Sequence, residues 1–246
     1  MTPTARYIPA MSKQSAVLIT GATQGIGRAT AVAFGRAGYR VGVVARTAPK
    51  IDALVAELRA EGIEAAGAAA DVADPEAVRS AVAVVVDQLG EIGVLVNNAG
   101  VLIARPFEEL TLDDWDTTMA TNLRSLYLVT REVLPGMRQR RDGTIVNVAS
   151  LAGRNGFAGG TAYTASKHAV LGFARSLMLE VRKEGVRVVT VCPGSVDTGM
   201  LQDQPMLSTN RERILRPEDV ADAILHAVQL PGRAMVSELD IRPTNP

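Results

Sequence analysis

The sequence predicts an α/β protein of the Rossmann type: a doubly wound parallel sheet of about seven strands with helices on both faces. Short runs rich in β-branched residues alternate with longer runs of helical period, the order that builds parallel strands joined by helical crossovers. The short runs are apolar at successive positions rather than at every second one, as a strand covered on both faces requires. The first of them also gives way to a glycine-rich turn, "LITGATQGIG" over 18–27. Backbone N–H groups at a helix start in such a turn can meet a pyrophosphate.

Taken in order, the expected strands are 16–20 (AVLIT), 40–45 (RVGVVA), 64–70 (EAAGAAA, weak because it is nearly all alanine and glycine), 93–97 (GVLVN), 143–149 (GTIVNVA), 186–192 (VRVVTVC) and 235–241 (MVSELDI). Helical period fills 25–38, 49–61, 75–89, 112–139, 160–184 and 217–229 between them. Residues 194–216 have no clear period and exceed an ordinary connection, which suggests a lid over about 195–216. Within it, Met200, Leu201, Met206 and Leu207 fit a roof over substrate or packing against the helix at 217–229. No repeat, linker or break in composition divides the chain, so one domain is expected over 15–246. Residues 1–14 read as a loose tail without the apolar stretch of a secretory signal, and Met11 is an alternative start.

Composition narrows the function classes. Hydrophobic residues are 47% and charged residues 21%, a globular balance. Lys+Arg and Asp+Glu both total 26, so no basic excess argues for nucleic acid or an anionic membrane as partner. No apolar run approaches the roughly 20 residues that span a bilayer. Cys192 is the single cysteine and His168 and His226 the only histidines, which leaves no disulfide and no cluster of zinc-ligand spacing. A cytoplasmic protein without a metal site is expected. Cys192 reads as a packed strand end with no histidine to activate it; His168 points away from the face that Lys167 occupies.

The glycines Gly21, Gly25 and Gly27 are spaced by four and then two, unlike the G-x-G-x-x-G fingerprint. On spacing alone they fit a phosphate-binding turn or a turn needed only for close strand-to-helix packing. Further residues tip the balance. "NNAG" (97–100) follows the fourth strand, where the crevice of such a sheet lies, and Ser150 falls just past the fifth. Tyr163 and Lys167, in "YTASK", stand one helical turn apart on one face. Asn122 sits among apolar neighbours inside a helix. A phenol is a poor acid-base group at neutral pH, and a nearby cation favours its phenolate and brings its pKa down. A serine hydroxyl can donate to a carbonyl oxygen as charge develops on it. With a hydride-carrying cofactor these are the parts for interconverting a carbonyl and an alcohol.

In this chain order the motifs resemble the short-chain dehydrogenases/reductases, in their single-domain branch, from about residue 15 to the C-terminus. "TGATQGIG" (20–27) is similar to the family's T-G-x-x-x-G-x-G loop, which implies that Gly21, Thr23, Gln24, Gly25, Ile26 and Gly27 meet the cofactor's phosphates. "NNAG" implies a structural and adenine-side role for Asn98, Ala99 and Gly100; Asp71, with Val72 in "DVAD", matches the adenine contact. "PGSVDTGM" (193–200) is similar to the segment bordering nicotinamide, which implies contacts from Pro193, Gly194, Val196 and Thr198. The resemblance assigns Tyr163 as acid-base, Lys167 as the residue that lowers its pKa and binds the nicotinamide ribose, Ser150 as the group orienting the carbonyl, and Asn122 as the holder of a proton-relay water. The ending "SELDIRPT" resembles a branch of small hydroxy-acid and antibiotic-pathway aldehyde reductases.

Cofactor preference is written after the second strand. NAD-specific relatives place an Asp or Glu there, which binds the ribose 2′-OH and repels a 2′-phosphate. Here the position is Ala45, followed by Arg46, whose guanidinium suits a phosphate, and Thr47. NADP(H) is therefore expected over NAD(H), with Gln24 standing where NADP-preferring relatives often carry a second cation. An NAD-dependent alcohol dehydrogenase on the same residues is the alternative enzyme reading, and a silent NADP-binding sensor the rival from another class. The helix at 160–184 is small or apolar nearly all round and implies burial on its outer side; with the family's usual interface from this helix and the one at 112–139, a homotetramer is expected.

Overall fold

The computed structural model describes residues 15–202 and 210–244. The expected tail at 1–14 and the lid residues Met206 and Leu207 lie outside the described residues. Strand β1 (Ala16–Thr20) leads into helix α1 (Gly25–Arg36), followed by β2 (Arg40–Ala45), α2 (Ala48–Ala60), β3 (Ala65–Ala69), α3 (Pro75–Leu89) and β4 (Ile92–Asn97). The second half runs α4 (Leu112–Met119), α5 (Ser125–Arg140), β5 (Gly143–Val148), α6 (Thr161–Val181), β6 (Val186–Pro193), the short α7 (Gly199–Gln202), α8 (Pro217–Gln229) and β7 (Glu238–Ile241). The strands form one sheet in the order β3-β2-β1-β4-β5-β6-β7, with parallel pairing throughout.

The chain first winds outward from β1 to β3, then returns to the far side of β1 and winds the other way. Between β1 and β4 the direction reverses, and the strand ends there open a crevice. Both faces of the sheet are covered. On one, Phe34 of α1, Leu58 of α2 and Ile224 of α8 are fully buried with Val17, Ile19 and Val43. On the other, Val85 of α3, Val133 and Met137 of α5 and Val181 of α6 pack on Leu18, Leu95 and Ile145. The weak alanine-glycine composition at 64–70 has a packing cause: α2 lies so close over β3 that a Cβ at Gly67 would collide with Ile51.

The helical run expected over 112–139 is not one helix. Helix α4 opens with a capping box between Thr111 and Asp114. A π-helical turn over Ala120–Arg124 then separates it from α5. At its centre, Asn122 is fully buried and its side chain leaves the helix for a loop: Oδ1 accepts from the Val101 N–H at 2.8 Å and Nδ2 donates to the Val101 carbonyl at 2.9 Å. Such a turn widens the helix by one residue and is frequent at functional sites. Over 194–216 the described residues form α7, a parallel bridge from Val196 to Leu215, and an ion pair from Arg211 to Asp197 at 2.7 Å. Among the described residues no helix is long and apolar enough to cross a membrane.

Candidate active site

The crevice at the switch point holds about 710 Å³. Its first wall is the glycine turn. Gly21 (φ 64°) and Gly25 (φ 52°) occupy the left-handed region, open to glycine at little cost. Gln24, the residue before α1, makes no side-chain cap, so the first-turn N–H groups are left to face an anion. Gly27 has a different task from the one expected. It does not line the crevice; a Cβ there would run into the Gly21 carbonyl and the Asn98 amide. Close packing thus accounts for Gly27, and left-handed backbone for Gly21 and Gly25.

The turn is tied to the next wall. Thr20 Oγ1 accepts from the N–H groups of Asn98 and Ala99, both at 3.1 Å, while Asn98 Nδ2 donates to the carbonyls of Thr20 (3.0 Å) and Gly21 (3.2 Å). Asn97 faces into the sheet, donating to Thr130 and to Asn147 of β5. Within "NNAG" the first asparagine therefore binds strands together, while Asn98, Ala99 and Gly100 line the crevice.

At one end of the crevice stand Ala45, Arg46 and Thr47 after β2, and Asp71 and Val72 after β3. Asp71 folds its own turn by accepting from the Ala73 N–H at 2.9 Å. Lys50, four residues past Arg46 in the first turn of α2, also lines this end. The sequence reading did not single it out; its place depends on where α2 starts, two residues after Arg46. No carboxylate stands at Ala45, and Arg46, Thr47, Lys50 and the α1 turn make a donor set that fits a phosphorylated dinucleotide.

At the other end, Ser150 follows β5 and accepts from the Ala152 N–H at 3.1 Å. Its hydroxyl stands beside that of Tyr163, near enough to lower the phenol's affinity for its proton. Lys167 is 4% exposed; its Nζ donates to the Val148 carbonyl at 3.0 Å and lies 5.6 Å from the Tyr163 ring centre. Phe157 meets Tyr163 edge-on, ring centres 6.3 Å apart. Pro193, Gly194, Val196 and Thr198 close the far wall, and the Thr198 methyl sits against Gly25. Ser150, Tyr163 and Lys167 are thus brought together as expected. Asn122 is not among the lining residues: both of its Nδ2 hydrogens are committed, to Val101 and to Ser166 Oγ (3.1 Å). Its side chain holds the loop after β4 instead.

A family model described as short chain dehydrogenase matches residues 15–206. The chain belongs to this family. Members of the short-chain dehydrogenases are oxidoreductases of CH–OH groups, and several relatives lie close. The 3-oxoacyl-acyl-carrier-protein reductase FabG of Pseudomonas aeruginosa is 38% identical over 206 residues, covering 83% of each chain. Among solved structures, a single-residue variant of the actinorhodin polyketide ketoreductase with NADPH gives a TM-score of 0.87 at 33% identity, covering 94% of this chain and 97% of that one. A metagenomic short-chain oxidoreductase in complex with NADP gives 0.83 at 35% identity over 96% of this chain and 100% of that one.

Electrostatics in this short-chain dehydrogenase run against one expectation. Burial holds the Tyr163 phenol above its ordinary value, and the neighbouring Ser150 hydroxyl pulls the other way. Burial also brings the Lys167 ammonium down to about 8. Desolvation disfavours the charged form of each group, so the pair favours phenol over phenolate. Elsewhere, Cys192 is fully buried with its thiol pushed up to about 11 by burial, and exposed His168 hydrogen-bonds back to Thr164, as their inert readings require. Among the described residues no group of three or more His, Cys, Asp or Glu could hold a metal.

The depressed Lys167 value has a sign that stability can report. Below pH 8 both folded and unfolded chains carry the charge; between about 8 and the ordinary lysine value of 10.5 the folded chain has released the proton and the unfolded one has not. Stability attributable to this group therefore rises across that window. Relative to Lys167→Met, the wild-type unfolding free energy is expected to gain up to about 3 kcal/mol from pH 7 to pH 10. Urea unfolding of both proteins at a series of pH values checks this; parallel pH curves would contradict the burial of a titrating ammonium.

Proposed function

We propose that the chain is an NADP(H)-dependent carbonyl reductase acting on ketones, able to run as the alcohol dehydrogenase in reverse. The observation that carries it is the Ser150–Tyr163 hydroxyl pair at the floor of the crevice with Lys167 behind the ring. NADP(H) supplies the hydride in one direction and takes it in the other. Ser150 donates a hydrogen bond to the substrate oxygen and stabilises charge developing there. Tyr163 passes its proton to that oxygen as the alcohol forms, and its raised affinity for the proton keeps the donor loaded at neutral pH. Lys167 holds positive charge beside the phenolate that remains. Two relatives support the ketone: the 3-oxoacyl-acyl-carrier-protein reductase and the polyketide ketoreductase are so named. A sensor without turnover has no use for this hydroxyl pair.

Arg46 and Lys50 are the proposed holders of the 2′-phosphate, with Thr47 adding a hydroxyl and Lys50 taking the part that Gln24 leaves empty. The cofactor complexes of the two structural relatives, with NADPH and NADP, point the same way. A homotetramer is proposed on α5 and α6, where Tyr127 (48% exposed) and Leu179 (58% exposed) present apolar surface. Light scattering at micromolar concentration should report about four times the 26.0 kDa chain mass; a monomer would overturn it.

Tyr163→Phe should lose about 10²-fold or more in kcat while keeping its affinity for NADPH, read from NADPH consumption against a ketone panel and from fluorescence titration. Retention of a tenth of wild-type kcat would remove the acid-base assignment. Wild type should bind NADPH about ten- to a hundredfold more tightly than NADH, the worth of a charge-assisted hydrogen bond. Ala45→Asp/Arg46→Ala should invert or abolish that ratio, and Lys50→Ala should shrink it. A ratio unmoved by these changes would refute the 2′-phosphate assignment.

A further inference from the structure

Strand β7, within the ending "SELDIRPT" (237–244), is a four-residue edge strand with β6 as its neighbour in the sheet and no buried residue of its own. Apolar burial does little to hold it, yet its side chains reach the catalytic end of the molecule. Glu238 and Asp240 stand two apart and so share one face of the strand. On that face Arg154 meets both carboxylates: its Nη2 lies 2.5 Å from Glu238 Oε2 and 3.1 Å from Asp240 Oδ1, and its Nε donates to the same Asp240 oxygen at 3.2 Å. Arg175 of α6 adds a second guanidinium on Glu238 at 2.6 Å. A lone surface ion pair contributes little, whereas arginine forks sharing two carboxylates fix a geometry. The Arg154 and Glu238 side chains are 25% and 22% exposed, so water screens their contact only in part.

Arg154 ends the turn that begins at Ser150. The N–H groups of Gly153 and Arg154 donate to the carbonyls of Ser150 and Leu151, both at 2.9 Å, and the Ala152 N–H donates to the Ser150 hydroxyl at 3.1 Å. The turn is thus one hydrogen-bonded unit, with the serine hydroxyl at one end and the Arg154 guanidinium at the other. It is seated closely on α6, since a Cβ at Gly153 would lie 2.8 Å from the Lys167 carbonyl oxygen. The ending packs on the same turn: Leu151 and Pro243 both stand against Gly194, whose N–H donates to the Ile241 carbonyl at 2.8 Å. Arg154 itself does not line the crevice.

We propose that the C-terminal motif is a latch on the catalytic loop and that Arg154 is a positioning residue: tied to Glu238 and Asp240, it fixes the turn that holds the Ser150 hydroxyl beside Tyr163. The proposal rests on the reductase reading above, in which Ser150 meets the substrate oxygen. Without the guanidinium the turn keeps its own hydrogen bonds but loses its anchor to β7, and the serine donor strays from the line to the carbonyl. A misplacement of about 1 Å can cost about 10²-fold in rate, so a loosened turn should cost about tenfold.

The test uses Arg154→Met and the double variant Glu238→Gln/Asp240→Asn in the full chain. Hydrogen exchange read by mass spectrometry over residues 150–156 follows the turn without turnover. It should quicken about tenfold in both variants, while residues 21–30 keep the wild-type rate. With saturating NADPH and the best ketone of the panel, each variant should lose about tenfold in kcat, the two sets combined should lose no more than either alone, and the NADPH dissociation constant should stay within about twofold. Action through Ser150 has a stricter signature: in a Ser150→Ala background, Arg154→Met should cost nothing further, whereas a general loss of stability would act again. Should Arg154→Met fail to fold, the double variant, which keeps the arginine, reads the same quantities. Exchange over 150–156 unmoved in the variants overturns the latch; quickened exchange with kcat unchanged, or the same loss repeated in the Ser150→Ala background, overturns the positioning role. Quickened exchange in a chain whose wild type reduces no ketone would sink the reductase reading while upholding the latch.

Discussion

The site depends on one small clamp. Thr20, the last residue of β1, accepts two main-chain N–H groups from the start of the loop after β4, and Asn98 returns two bonds to the carbonyls of Thr20 and Gly21. A switch point is a place where two neighbouring strands send their chains away in opposite directions, so nothing in the sheet itself fixes the gap between them. Four hydrogen bonds do so here, and at 2% exposure of Thr20 they are screened little by water. Gly27 closes against the same Asn98 amide. The phosphate turn, the crevice width and the approach of the loop that Asn122 holds are set relative to this clamp.

The fold was legible because its signal is redundant: seven apolar runs, each long enough for one strand, and intervening helices of ordinary length. Helix 75–89 and helix 217–229 fall where the pattern puts them, since Asp74 caps the first and Pro75 and Pro217 open them. The run at 112–139 failed as a single helix because hydrophobic period hardly registers one inserted residue. The polar Asn122 was the clue, and its meaning needed Val101, a partner in a different segment of the chain.

The site was legible where one residue type answers one chemical need at a fixed spacing, as with Tyr163 and Lys167. It was not legible where neighbours decide. Gly27 looks like its companions in sequence and differs from them only through what stands beside it. Lys50 gains its place from the way α2 begins, with Pro49 in its first turn. The electrostatic expectation for Tyr163 failed for a similar reason: spacing on a helix gives the distance to a cation, but the depth at which both groups lie, which decides the sign, comes from the packing of α6 on β6 and the close approach of Phe157.

The π-turn at Ala120–Arg124 also sets a phase. In an α-helix each residue advances the face by about 100°, so one residue more or fewer turns everything downstream by that angle. Leu126, Val129, Val133 and Met137 of α5 are buried only because the extra residue has been absorbed before them. Wound as one unbroken α-helix, the same residues would turn α5 by that angle and take Leu126, Val129, Val133 and Met137 off the core. The bulge acts as a unit of register.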